Sequence, residues 1–181
     1  MRRWRRNQHG AAAVEFAMIA PAFFFLMFVI AETALVFIAE QVMDNALSEA
    51  ARLVRTGQAQ TGTWPKPDGN EASHPMTEAE FKELVCAGMS VFIDCSGDDF
   101  YLDVKSYPSF AEIDTAPPIN EQEQFQAAGS FEFGGADAIV VMRAYYQWPT
   151  NNIFGALSLK NLSNGKRLIG SFAAFRNEPY I

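Results

Sequence analysis

Histidine and cysteine are scarce in this sequence, two of each in 181 residues, and only His74 follows residue 10. A metal site built on Cys86, Cys95 and His74 needs further ligands that no nearby cluster supplies. No glycine-framed nucleophilic serine and no glycine-rich phosphate loop is present, so the sequence offers little for an enzyme and implies no cofactor. Basic residues are few as well: 14 Lys and Arg stand against 21 Asp and Glu, a net charge of −7. Four of those cations lie in the first ten residues. Beyond them the balance is ten against 21, or −11. So acidic a chain argues against nucleic acid or anionic headgroups as partners of that part. There is no internal repeat and no low-complexity tract.

What the chain has in excess is one apolar run. From Phe16 to Ala39 it reads FAMIAPAFFFLMFVIAETALVFIA, with Glu32 the only charge. At 1.5 Å per residue this makes roughly 36 Å of helix, enough to cross a hydrocarbon core of about 30 Å and so to contact membrane lipid. A cleaved secretory signal would have a shorter apolar core of about 7–15 residues closed by a small-residue site, and no such site closes this run. Arg2, Arg3, Arg5 and Arg6 precede the span with no acid among them, which predicts a cytoplasmic N-terminus and an exported remainder. In an oxidising compartment the pair Cys86 and Cys95 reads as a disulfide, worth roughly 2.5–3 kcal/mol for so short a loop.

The leader ends at Gly10, Ala11-Ala12-Ala13-Val14 follow, and Glu15 stands at the edge of the span. An acid near hydrocarbon is costly unless paired, so Glu15 is a functional candidate by default. The segment Gly10-Ala-Ala-Ala-Val-Glu-Phe-Ala-Met-Ile-Ala-Pro21 resembles the start of the TadE-like pseudopilins of the tight-adherence (Tad/Flp) type IVb pilus system. The resemblance implies a structural minor subunit, not an enzyme. It further implies cleavage between Gly10 and Ala11 by a membrane prepilin peptidase, and recruitment through Glu15 meeting the new N-terminal ammonium of a neighbour. The partners it implies are other TadE/TadF-like pseudopilins, the Flp pilin and an inner-membrane assembly platform. The location would be the bacterial inner membrane, crossed once, with a periplasmic C-terminal head. Against it stands a membrane-tethered periplasmic binding or sensor domain, which predicts no cleavage and tolerance of Glu15→Ala.

Pro21 removes one backbone hydrogen bond, that to Ala17, and is expected to loosen the helix there. Glu32 lies about 24 Å into the span and about 100° around the helix from Glu15, so the two need not share a partner. Snorkelling outward, protonation and pairing with another subunit are all open to it. Beyond Glu40 the apolar residues Val42, Met43, Ala46, Leu47, Ala50, Leu53 and Val54 recur at helical spacing, and Gly57 is a plausible C-terminal cap. The expected layout is therefore a leader over 1–10, a membrane helix over 11–39, its amphipathic continuation over 40–57 and a head over 58–181.

Within the head, residues 57–76 read as a loop. Thr77 and Glu80 form a capping box for a helix whose stripe is Phe81, Leu84, Val85, Phe92 and Ile93. Two helical cysteines would stand about 13 Å apart along the axis, too far to bridge. The disulfide thus predicts a helix end near Val91–Ile93. Residues 100–106 alternate as a strand, with Leu102 and Val104 on one face and Asp103 and Lys105 on the other. Asp98, Asp99 and Asp103 read as a solvated strand entrance. Residues 107–135 are irregular, with a short helix near Asn120–Ala128. Ala138–Trp148 is apolar enough for a central strand, and a turn at Asn161–Gly165 leads to a third over Arg167–Phe175. The C-terminal Phe175-Arg-Asn-Glu-Pro-Tyr180 is either an interaction tail or a solvated terminus. The sum is an α+β fold: a long pilin-like helix, one further helix and an antiparallel sheet of three or four strands.

Overall fold

A computed structural model of the chain describes residues 10–126, 129–150 and 158–180. The basic leader lies outside the described residues. The long helix, α1, spans Ala11–Arg55 without interruption. The chain divides inside it into two compact units, Met1–Phe37 and Ile38–Ile181.

In the second unit α1 behaves as its period-3.6 pattern requires. Ala39, Met43, Ala46, Leu47, Ala50, Leu53 and Val54 are buried, while Asp44, Asn45, Ser48, Glu49, Arg52 and Arg55 are exposed. The helix stops at Gly57, which sits at φ 78°, the left-handed conformation glycine adopts without strain, and its N–H bonds to Val54 O. The stretch read as a loop is more ordered than expected. It holds a single helical turn, α2 (Gln58–Thr61), and a two-stranded hairpin of β1 (Trp64–Pro65) with β2 (Glu71–Ala72). Trp64 anchors the hairpin: it is buried and its Nε1–H donates to His74 O at 2.9 Å.

The capping box forms at the start of α3 (Glu78–Ala87), with Thr77 Oγ1 accepting from Glu80 N and the Glu80 carboxylate accepting from Thr77 N at 3.0 Å. The end was misplaced. α3 stops at Ala87, one turn before Val91–Ile93, so Phe92 and Ile93 are not part of its stripe. Gly88 follows in the helical region at φ −69° and ψ −15°, and a Cβ there would come within 2.9 Å of Ala46 Cβ, so a glycine lets this end of α3 approach α1. Tight turns through Met89 then bring Cys95 back, and Cys86 and Cys95 are disulfide-bonded with Cα atoms 6.0 Å apart.

The main sheet has three antiparallel strands in the order β3 (Phe100–Tyr107), β4 (Ile139–Pro149), β5 (Lys166–Arg176). β4 is central, as its apolar run predicts. The register pairs Val104 with Met142 and Tyr146 with Ile169. One face therefore carries Phe100, Val104, Val140, Met142, Ala144, Tyr146 and Ile169, all buried, and these residues form the core with Phe81 and Val85 of α3 and the stripe of α1. Tyr145, Leu162 and Leu168 make a smaller cluster on the opposite face, with Tyr101, Ile119 and Phe125 packed against it.

The acids near β3 are not a solvated entrance. Asp103 does lie on the face opposite Val104, but it is 4 % exposed. It accepts from Ser130 N and Oγ at 2.9 and 2.7 Å and pairs with its register partner Arg143 at 3.3 Å. The long connection after β3 covers this face, and Arg143 also donates to Asp114 O. Asp99 is bound by Lys166 Nζ at 2.6 Å, and only Asp98 keeps the expected exposure. The short helix near Asn120–Ala128 does not form across the described part: residues 120–126 make a turn closed by an Ile119–Phe125 bridge, and 127–128 lie outside the described residues.

The residues after β5 are partly docked, although Glu178 and Pro179 stay exposed. Asn177 is buried and its side-chain amide donates to Phe133 O and Gly135 O, both at 2.9 Å. Glu178 N caps Arg55 O at 2.8 Å, and the Tyr180 ring lies over Gly57, where any Cβ would clash at 2.4 Å.

Candidate functional site

Gly10 is exposed and immediately precedes the first helical residue, Ala11. The first four N–H groups of a helix have no intrahelical acceptor and carry the positive end of its dipole. Glu15 is the first acid along α1 and is exposed. Standing four residues after Ala11, its carboxylate lies on the same helix face as Ala11 and points back toward that electropositive end.

From Phe16 to Phe37 the surface of α1 is apolar apart from the half-buried Glu32 and Thr33. Phe16, Met18, Ile19, Phe23, Phe24 and Phe28 are among the large side chains that stand at least half exposed. The most apolar 18-residue window has a mean hydropathy of 2.4 and is only 11 % buried. By length and composition this one helix is able to cross a membrane, which fits a single-pass membrane protein. Soluble monomers rarely expose so large an apolar surface. Pro21 lies inside the helix, which nonetheless continues through it. Glu32 is half-buried on the same helix, 17 residues and about 26 Å of axial rise from Glu15, so the structure does not bring the two acids together.

The other chemistry-bearing residues are structural. Cys86 and Cys95 close a turn in the second unit, and among the described residues no group of three or more His, Cys, Asp or Glu stands together as metal ligands. The buried Asp103–Arg143 pair was missed from the sequence. Its one signal is the strand register, which sets an acid and a base of two neighbouring strands opposite each other.

Residues 10–52 match the family model of TadE-like proteins, a structural, pilus-associated family. The match covers about a quarter of the chain, from Gly10 through almost all of α1, and points to involvement in Tad pilus systems. No curated protein and no solved structure matches the chain.

Proposed function

We propose that this chain is a minor pseudopilin of a Tad/Flp pilus, cut between Gly10 and Ala11 by a prepilin peptidase and recruited into the assembly through Glu15. The observation that carries the reading is the juxtaposition, inside the family-matched segment, of Gly10, a helix beginning at the next residue, Glu15 one turn later and an exposed apolar sheath.

Cleavage before Ala11 would turn the electropositive end of α1 into an ammonium. In the bilayer, near the cytoplasmic interface, the Glu15 carboxylate can still reach water. In a filament core it cannot, and an unpaired buried charge costs several kcal/mol. A neighbour's Ala11 ammonium at the right axial offset removes that cost, so subunits in register are favoured and others are rejected. The basic leader holds the N-terminus in the cytoplasm until cleavage, which leaves the acidic second unit on the periplasmic side. Other TadE/TadF-like pseudopilins, the Flp pilin and an inner-membrane platform are the partners this reading requires. The domain layout it implies is a removed leader over 1–10, a membrane helix over 11–39, its continuation over 40–57 and a head beyond.

N-terminal sequencing and intact mass of the protein from native membranes test the proposal. The expected N-terminus is Ala11, and Gly10→Ala should leave the leader attached and abolish piliation. Glu15→Ala should leave processing intact and still lose pili. An N-terminus at Met1 or Arg2 overturns the proposal in favour of a tethered domain.

A further inference from the structure

Among the described residues, the outer edge of β5 is covered along its first half and meets no partner along its second. Leu168 directs its backbone away from β4, and there the Asn161 side chain satisfies both groups, accepting from Leu168 N at 2.6 Å and donating to Leu168 O at 3.3 Å. Lys166 O accepts from Asn161 N and Leu162 N on the same side. Because backbone groups alternate along a strand, Gly170, Phe172 and Ala174 also point outward, and their outward groups meet no described residue. The opposite edge of the sheet is blocked: Val104 of β3 donates to Ser130 O and accepts from Glu132 N, both at 2.8 Å.

Nothing in Gly170–Phe175 protects the open stretch. It has no proline and no charge, and Phe172 is 62 % exposed on one face of the sheet. Beside it lies a groove of about 480 Å³ lined by Ser48, Glu49, Arg52 and Arg55 of α1 and Phe172–Phe175 of β5. Charge selects the occupant. β5 carries Lys166, Arg167 and Arg176 and no acid, and Arg52 and Arg55 wall the groove with Glu49. The arginines' present partners are all on the surface: Glu49 at 2.8 Å, Glu178 at 3.5 Å and Asp137 at 3.2 Å. Such exposed pairs are weak and exchangeable.

We propose that the β5 edge from Gly170 to Arg176 accepts an extended, acidic segment of another polypeptide by strand addition. Backbone bonds to Gly170, Phe172 and Ala174 supply the attachment, Phe172 gives an apolar contact, and Arg52, Arg55 and Arg176 select carboxylates. A second copy fits less well. Pairing β5 with β5 brings together two strands whose only charged residues are cations, and head-to-tail addition onto β3 meets the blocked edge at Val104. The inference is independent of cleavage at Gly10.

The test is amide hydrogen exchange on the full chain in detergent micelles, with a short blocked peptide alternating valine and glutamate as the probe and its valine–lysine counterpart as control. The acidic peptide should slow exchange at Gly170, Phe172 and Ala174 by about tenfold or more, and the lysine peptide should not. Ala174→Pro, which removes an outward N–H, should abolish that protection. Should that variant misfold, Phe172→Asp places a carboxylate on the exposed edge and should weaken the acidic peptide alone. No protection by the acidic peptide, or equal protection by both, overturns the proposal. So does protection of these amides without peptide that grows with protein concentration, which would mean a second copy covers the edge.

Discussion

One helix serves two environments. Over residues 11–37, α1 exposes Phe16, Met18, Phe23 and Phe28 on every side, whereas from Ala39 onward it buries a single stripe and shows charge on the rest. Backbone geometry is the same in both parts, so the contrast lies in where the partner of the apolar surface resides. For the second part the partner is the same chain: α3, the sheet and the C-terminal residues. For the first, most of the surface meets no described residue, and on the function proposed above its partner is lipid or neighbouring helices. A sequence pattern can therefore disclose the structure of the second part and only the solvent of the first.

The sharpest way to break that contrast is to put one carboxylate into each part. Leu47→Asp deletes a side chain that is 1 % exposed and leaves an unpaired acid in its place. Loss of the leucine alone costs about 2–5 kcal/mol, and the buried charge adds to it, which approaches the whole stability of a domain of roughly 5–15 kcal/mol. The variant should show no cooperative melt of the second unit. Phe24→Asp, on an exposed position of the first unit, should leave that melt unchanged in detergent and fail only in membrane retention. Equal loss of melting from both substitutions would mean that the two parts are one cooperative structure.

The same contrast explains what was legible. α1, the capping box at Thr77 and Glu80, and the central position of β4 follow from local rules, since period, cap and apolar run each act within a few residues. Several of the differences come from contacts distant in sequence. Asp103 is buried because Arg143 lies opposite it in the register and Ser130 folds back over it. α3 packs close to α1 because Gly88 meets Ala46, and the terminal residues dock because Gly57 leaves room for Tyr180. The Gly10 and Glu15 pattern was readable through its resemblance to TadE-like proteins, and the cleavage and pairing proposed for it involve molecules that one chain does not contain.

An intermediate effect should come from the disulfide, which belongs wholly to the self-partnered part. Its closure of the Cys86–Cys95 turn holds Met89 and Ile93 in the core, at 1 % and 2 % exposure. Cys86→Ser with Cys95→Ser should cost about 2–3 kcal/mol. For a unit of this size that lowers Tm by roughly 5–10 °C, and it should remove any response of the melt to reductant. A wild-type melt indifferent to reductant would show that the apolar packing of this turn is sufficient without the bond.

The smallest effect sits at the first turn of α3, where the stabilising contacts are on the surface. Thr77→Ala removes the acceptor of the cap and should cost about 1 kcal/mol. The Glu80 carboxyl is held below its ordinary value of 4.5, first by the bond from Thr77 N, then by that from Thr77 Oγ1, with His74 and Lys66 adding attraction. Because the folded state lowers this value, the stabilisation is complete above the ordinary carboxylate range and is lost as pH falls through the lowered one. Protection of the first turn of α3 should therefore fall in the wild type as pH drops below the ordinary carboxylate range, and Glu80→Gln should flatten that dependence. The Leu47 stripe should not respond over the same range, because no titrating group sits in it. If acid loosened α1 and α3 together, the cap would be coupled to the core, and the division between surface and interior that runs along α1 would not extend to its neighbouring helix.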